Sequence, residues 1–481
     1  MRDRLCFIRK LYGIVSGLEV ASNRPGKFMM APQDDVPPIT ALLAGFAGGM
    51  RLGSLDPKVV AAGQRCLLDW LGCVIAGNAD PFQRPLLEYA RKCGGAPEAS
   101  LLGTGESGGA EIAALVNGSA AHLHDYDDTY LRMYGHPSAA PIAAAFAAAE
   151  RSCCDGSDLL AAVVGGVEIT CRLGRMLGYE AYQHGFTPAS QTGVFGAAAA
   201  ACIAARVPED HIHTALGLAG AMASGLHCNG MYSAGLVQIG AAAASGVRCA
   251  DLAQFGASAN PSVIECRSGY AQSRTQAPIW DDTIGDQNAH FEMLDIMFKF
   301  HAACGGAQAA IAASAAHAAR PNFDSDALSA IDVVVSPGVK RLCRIHTPRS
   351  GAEAKLSLPF AVAAGLAGID TSSIAAYSEH SIDLPVIRRL MAMTEVRASD
   401  DIPEWETSVT LRDRSGRAVT EEARADSLER DDAKLWRMLA DKFGKLVGPV
   451  IGDERAGKII DAVAQRRSAR EIAVLACARP A

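Results

Sequence analysis

The sequence predicts a mainly α protein, in which a large all-helical domain carries a smaller inserted α+β domain. Three observations point there. Alanine and glycine dominate a chain of 481 residues that is 49% hydrophobic but only 6% aromatic, which suits helices packed through small side chains. From Pro37-Pro38 to about Met297, helix signals run on almost without strands. After Lys299 short β-branched stretches take over, and helical spacing returns near Asp431. A chain of this length exceeds the usual single core, so more than one domain is expected. The boundaries read as an N-terminal extension (1–36), an all-helical domain (37–298 with 425–481) and an α+β domain (299–424).

Taken in order, Met1 to Lys27 carries Arg2, Arg4, Arg9, Lys10 and Arg24 around a short apolar patch. It lacks the long apolar core and small-residue cleavage site of a signal peptide. It reads as a loosely ordered extension, with Met29 or Met30 as an alternative start. Asp56-Pro57 sets an N-cap before a proline at the first helical position, and Val60, Leu67, Leu68 and Leu71 carry that helix to a stop at Asn78. Ser157 to Leu177 is helical up to Gly178, Gln191 to Ala205 is an almost pure alanine–glycine helix, and Pro208 opens the next. Ala330 to Ser336 is short and β-branched, hence a strand. Gly351 to Leu366 reads as a helix, and Met393 to Ala398 and Trp405 to Leu411 as strands. A turn at Asp413-Arg-Ser-Gly416 leads to a hairpin partner over Gly416 to Glu421. Asp431 to Leu475, with Trp436, Leu439, Phe443, Ile459, Ile460 and Val463, returns to helices that should rejoin the first domain.

Composition narrows the function. The net charge of -7, from 45 basic and 52 acidic residues without a basic block, invites neither nucleic acid nor an anionic membrane surface. Fourteen scattered cysteines without a Cys-x-x-Cys pair fit buried reduced thiols and a cytoplasmic protein better than a disulfide framework or zinc knuckle. Thr214 to Val247 lacks Asp, Glu, Lys and Arg, yet His227, Asn229, Gln238 and many glycines mark buried helices rather than a membrane span. Gly103-x-Gly-x-x-Gly108 fits a dinucleotide fingerprint in form alone, since no strand–helix–strand unit surrounds it; it reads as a loop. His211 and His213, beside Glu209 and Asp210, read as surface.

One polar stretch stands inside this apolar sequence: Asn117-Gly-Ser-Ala-Ala-His122-Leu-His124-Asp125-Tyr-Asp127-Asp128-Thr129, closing at Gly135-His136-Pro137-Ser138. So many polar groups between two core-type helices need partners or a purpose. Metal binding is one reading, because His122, His124, Asp125, Asp127 and Asp128 resemble a ligand set. On a helix, however, side chains at i and i+2 point about 200° apart, so the histidines converge only if the helix has already ended. Metal-free acid/base chemistry is the other: the helix ends around His124, and a turn presents carboxylates beside His136, whose imidazole moves a proton. The plain alternative is a capped helix end with solvated aspartates.

The pattern Asn117-Gly-x-x-Ala-His122-x-x-Asp125-Tyr-Asp127-Asp128-Thr129 with His136-Pro-Ser resembles the signature of the MmgE/PrpD family, which includes 2-methylcitrate dehydratase, cis-aconitate decarboxylase and iminodisuccinate epimerase. Three further matches follow in order. They are Gly185-Phe-x-Pro with Gly193-Val-Phe-Gly196, then Phe298-Lys299 with Cys304-Gly, then Gly351-Ala-Glu-Ala-Lys355-Leu-Ser-Leu-Pro. The resemblance covers about Pro37 to Arg424. It implies a helical domain under an α+β lid, a homodimer, and a site between the two domains that needs neither metal nor cofactor. It also implies proton removal next to a carboxylate of a small organic acid, most simply with elimination of water. Loss of carbon dioxide, epimerisation, or a reduced homologue that only binds a metabolite or partner are the alternatives. By resemblance His136, Asp125 and Thr129 are catalytic, with His122 and Asp128 supporting the turn and contacting substrate.

Departures from the family pattern are informative. Thr187 stands where histidine is frequent, with His184 three residues earlier; Gly235 and Gln238 replace a lysine and a histidine; Gln308 replaces a lid histidine, and Leu342 a tyrosine. Glutamine cannot exchange a proton near neutral pH, and losing the lysine removes a cation. The expectation is therefore a substrate with fewer carboxylates than a tricarboxylate, with Arg132, Lys299 and Arg341 as candidate carboxylate partners and His184, Thr187 and Gln308 as further substrate-binding positions. Cys304-Gly-Gly reads as a buried structural thiol.

Overall fold

Small residues let the helices approach until backbone meets backbone. The computed structural model describes residues 36–427, 429 and 431–476, apart from the side chain of Asp282. All but the last position of the expected N-terminal extension (1–36) lies outside the described residues. The helix Pro57–Ala79 begins where Asp56 accepts from Lys58 N at 2.8 Å, with proline next in line. It crosses Ala110–Ala121 at Gly77, where a Cβ would run into the carbonyl of Ala120. Ser233–Gln254 meets the same helix at Gly240, hard against the backbone oxygen of Leu115 and the hydroxyl of Ser119. Gly240→Ala is expected to cost about 1–3 kcal/mol, the usual effect of forcing a methyl into a filled crossing; a denaturant midpoint no lower than wild type would refute it. Ala139–Ser152, Gly156–Gln183 and Gly193–Ala204 complete a core in which nearly every alanine is buried.

The protein is mainly α, with two small sheets among the described residues. The larger has strand order β4-β3-β5-β6, with β3 (Leu328–Val335) parallel to β4 (Thr394–Ala398). β5 (Glu406–Asp413) runs antiparallel to both β3 and β6 (Ala418–Arg424). Leu328, Ile331, Val333 and Val335 bury one face of β3, under the helices Gly305–Ala318 and Leu358–Leu366. The helix Asp432–Ile451 packs on Pro57–Ala79, with Phe443 and Leu446 over Gly72.

Local chemistry overrode periodicity in three places. The expected helix over Gly351 to Leu366 divides into Gly351–Ala354 and Leu358–Leu366, because Ser357 caps the second piece (Phe360 N to Oγ, 3.2 Å) and Pro359 cannot continue the first. Gly178, at φ 61°, breaks the backbone geometry where the sequence placed a stop, yet the chain resumes its helix to Gln183. The glycine-rich segment near Gly103 is the turn of a hairpin between β1 (Ala99–Leu101) and β2 (Glu106–Gly108), a strand pair too short to register in the sequence. Among the described residues one helix, Pro57–Ala79, is long and apolar enough to cross a membrane, and 89% of its most apolar window is buried inside the protein. The uncharged stretch from Thr214 to Val247 is not one helix but parts of Glu209–Met222 and Ser233–Gln254.

Candidate active site

The helix Ala110–Ala121 ends as the small residues give out, earlier than His124, and His122 is its C-cap. The chain then turns through Asp125 at φ 51°, a left-handed conformation that aspartate tolerates better than most residues. At Thr129 it pairs with Met297, N–H to carbonyl in both directions at 2.8 Å. That pairing delivers Lys299. Its side chain is fully buried, and Nζ donates to both the carbonyl (2.7 Å) and Oδ1 (2.5 Å) of Asp125, holding the turn in its unusual conformation.

A second pairing, Tyr130 with Gly135, brings His136 back over the turn. His136 Nδ1 lies 2.8 Å from the backbone oxygen of Asp128, which assigns the proton to Nδ1 and leaves a lone pair on Nε2. Nε2 faces Asp125 Oδ1 at 3.6 Å. Asp127 stands between two imidazoles, 3.1 Å from His122 Nδ1 and 3.4 Å from His136 Nδ1, and the rings lie 4.5 Å apart. Those three side chains each offer a metal-ligand atom within 4.8 Å of the others. In the arrangement seen, His136 Nδ1 is already committed to the Asp128 carbonyl.

Charge is unequally shared. Burial pushes the His136 imidazole down to about 4, with Lys299 and His122 adding to the effect against Asp127 and Asp125, so the ring is neutral at pH 7. Burial also opposes charge on His122, but the Asp127 carboxylate outweighs it and raises that imidazole. Burial would lift Asp125, yet Lys299 and the histidines keep it below the ordinary carboxylate range. Burial raises Asp128 to about 8; it is fully buried, takes a hydrogen bond from Ser138 Oγ at 2.5 Å and leaves Oδ1 without a partner. Beneath the turn, Lys442 Nζ donates to Asp69 Oδ1 (2.5 Å) and the Tyr126 carbonyl (2.7 Å), tying the helix Asp432–Ile451 to the floor.

His122, Asp125, Asp128, Thr129, His136 and Lys299 thus meet in one place. The other expected site residues are engaged elsewhere. Arg132 pairs with Glu292 and Asp295, and Arg341 donates to the Tyr179 hydroxyl. His184 is exposed beside the Arg274 carbonyl. Thr187 accepts from Gln238, whose own oxygen takes the N–H of Leu226. Gln308 is spent on the backbone of His301 and Ala303. Gly235 packs against the backbone of Asn229 and Gly230, with no room for a side chain.

Several neighbours escaped sequence reasoning. Lys355 donates to the His124 carbonyl at 2.8 Å, and burial draws its amine down to about 8; its motif was visible, but its role was not. The Tyr377 hydroxyl is buried without a partner and feels the Asp125 carboxylate, and no local signal marks it. Arg344, exposed near Tyr182 and His227, makes no ion pair among the described residues. Cys304 and Cys343 sit beside Lys299.

Residues 41–281 match the MmgE/PrpD N-terminal domain, and residues 301–466 match the C-terminal domain of that family. The chain belongs to the MmgE/PrpD family. It is 28% identical over 405 residues to a cis-aconitate decarboxylase of Homo sapiens, covering 78% of this chain and 81% of that protein. It is 26% identical over 407 residues to the Mus musculus enzyme of the same name, covering 78% and 80%. A cis-aconitate decarboxylase-like protein, oryM, of Aspergillus oryzae is 26% identical over 293 residues, 57% of this chain and 60% of that one. The family match together with these cis-aconitate decarboxylase relatives supports a lyase-type function.

Proposed function

We propose that this protein removes carbon dioxide from a small unsaturated polycarboxylic acid, cis-aconitate being the first candidate. The neutral Nε2 of His136, facing the Asp125–Lys299 pair, carries the reading. The carbon–carboxylate bond breaks and leaves its electron pair on the substrate, and Nε2 relays one proton from water to that carbon, leaving hydroxide. Asp125 and Thr129 line the reacting carbon, and Asp127 and the Asp128 carbonyl hold the imidazole in its tautomer. The relatives' names favour loss of carbon dioxide over the loss of water that the 2-methylcitrate dehydratase pattern suggests. The sheet-bearing part is taken as a lid over this turn, in a cytoplasmic homodimer.

The departures had argued against a tricarboxylate because a lysine was missing at Gly235. Lys355 supplies a cation at the same turn, so a substrate carboxylate has a partner here. Lys355→Met is expected to lower kcat/KM about 100-fold, the scale of one lost charged donor. In the wild type the amine is charged below about 8 and neutral above, so KM should climb as pH rises through that value. A KM flat to pH 9.5 (~1.5 units above, about thirty-fold deprotonation) would remove Lys355 from carboxylate binding.

The deciding experiment offers purified protein cis-aconitate, 2-methylcitrate and simple dicarboxylates while carbon dioxide release and products are followed. Release from cis-aconitate is expected. An unsaturated product from 2-methylcitrate without carbon dioxide would replace decarboxylation by dehydration, and no turnover of any acid would leave a binding protein.

A further inference from the structure

The loop that brings His136 back over the turn is held from outside by an aromatic stack that takes no part in the proton relay. Tyr134 stands at φ 53°, a left-handed conformation that a bulky side chain keeps only where its surroundings over-determine it. Its ring lies 4.2 Å from that of Tyr179 and 6.0 Å from that of Tyr182, centroid to centroid. Those two tyrosines follow the break at Gly178 and pack on each other at 5.8 Å. A third neighbour comes from the sheet-bearing part. Trp405 sets its ring 5.4 Å from that of Tyr134, and its backbone oxygen takes the Ala425 N–H at 2.8 Å. Arg341 adds a second tie from the same part, Nη2 to the Tyr179 hydroxyl at 2.8 Å. Helical and sheet-bearing parts thus meet on Tyr134, two residues before His136.

Only Gly135 separates Tyr134 from the imidazole, and it has no slack. A Cβ there would stand 3.2 Å from Pro188 Cβ and 3.3 Å from Ala189 N, while its carbonyl takes the Tyr130 N–H at 2.9 Å. On the other side Met133 is pressed against Gly174, where a Cβ would run into it. A shift at Tyr134 therefore passes to His136 instead of being absorbed between them.

We infer that Trp405 is a positioning residue for His136: through Tyr134 it holds the loop so that His136 Nδ1 stays 2.8 Å from the Asp128 carbonyl and Nε2 faces Asp125. The inference rests on the reading of His136 as the acid–base residue of the site, and it makes the seating of the sheet-bearing part a condition for that role. Without the Trp405 ring the stack around Tyr134 loses one wall. The left-handed backbone is then free to relax, and the imidazole leaves the Asp128 carbonyl. Aromatic pairs fix geometry as well as burying area. Misplacing a catalytic group by about 1 Å is enough for a large loss of rate.

The test follows the ring itself in the full chain, labelled with heavy nitrogen in its histidines. NMR assigns the two ring nitrogens of His136 by their loss in His136→Ala. In the wild type they should resonate far apart, with the proton held on Nδ1. Trp405→Leu, apolar but without a ring, should draw them together towards the exchanging pattern of a free histidine, and Trp405→Phe should keep them apart. This signal needs no turnover, so it fails or holds independently of the decarboxylation reading. With cis-aconitate as substrate, Trp405→Leu should lower kcat about 10- to 100-fold, with KM within about threefold. Tyr134→Leu should do the same with Trp405 in place, and the double variant should lose no more than either single, since both act through one contact. Should Trp405→Leu fail to fold, Tyr134→Leu carries the same two readings. An unmoved His136 signal in the folded variant, or kcat losses that multiply in the double, overturns the inference.

Discussion

His136→Ala is expected to lower kcat/KM for the substrate about 100- to 10,000-fold, the range for removing a positioned acid–base group. Its melting temperature should change little, because the ring is partly exposed and its main bond is to a backbone carbonyl. The pH profile of the wild type gives an independent check. The imidazole works as a base only when neutral, and burial has pushed it down to about 4. Activity is therefore fully present above that value and lost as pH falls through it, so kcat/KM should stay level from neutrality to about pH 5. An acid limb near the ordinary imidazole value of 6.5 would show that the ring is not held as described.

Lys442→Met is expected to destabilise the fold by about 3–5 kcal/mol, as breaking a buried pair from one side does. The two side chains are 3% and 2% exposed, so Asp69 would be left charged in the interior with no partner, and the Tyr126 carbonyl would lose its donor. Adding Asp69→Leu should recover part of the loss, since removing both charges is far milder than removing one. Denaturant unfolding of the two singles and the double measures this. Equal midpoints for Lys442→Met and wild type would show that the pair is not formed as described. Because Lys442 holds the floor of the Asp125 turn, activity should fall along with stability.

Much of the site was legible because its residues are neighbours in sequence. Asp125, Asp127, Asp128, Thr129 and His136 lie within a dozen positions, and the end of an alanine-rich helix forces them into one turn. Lys299 was legible through the Phe298-Lys299 motif, although its partner was not: the grip on Asp125 depends on the pairing of Thr129 with Met297. The candidate arginines are engaged elsewhere for a plain reason. Arg132 and Arg341 carry the right charge, but Glu292, Asp295 and Tyr179 reach them first, and only packing brings those groups within range.

By itself the sequence determined a mainly helical protein of small residues, a later sheet, and a polar turn with an imidazole among carboxylates. Those follow from periodicity and composition, which act between residues close in the chain. Only the tertiary structure decided that Lys299 grips Asp125, that Lys355 joins the turn, and that Lys442 supports it from below. These are contacts across tens to hundreds of residues, where burial strips away water and each charge is set by whichever group the fold brings beside it.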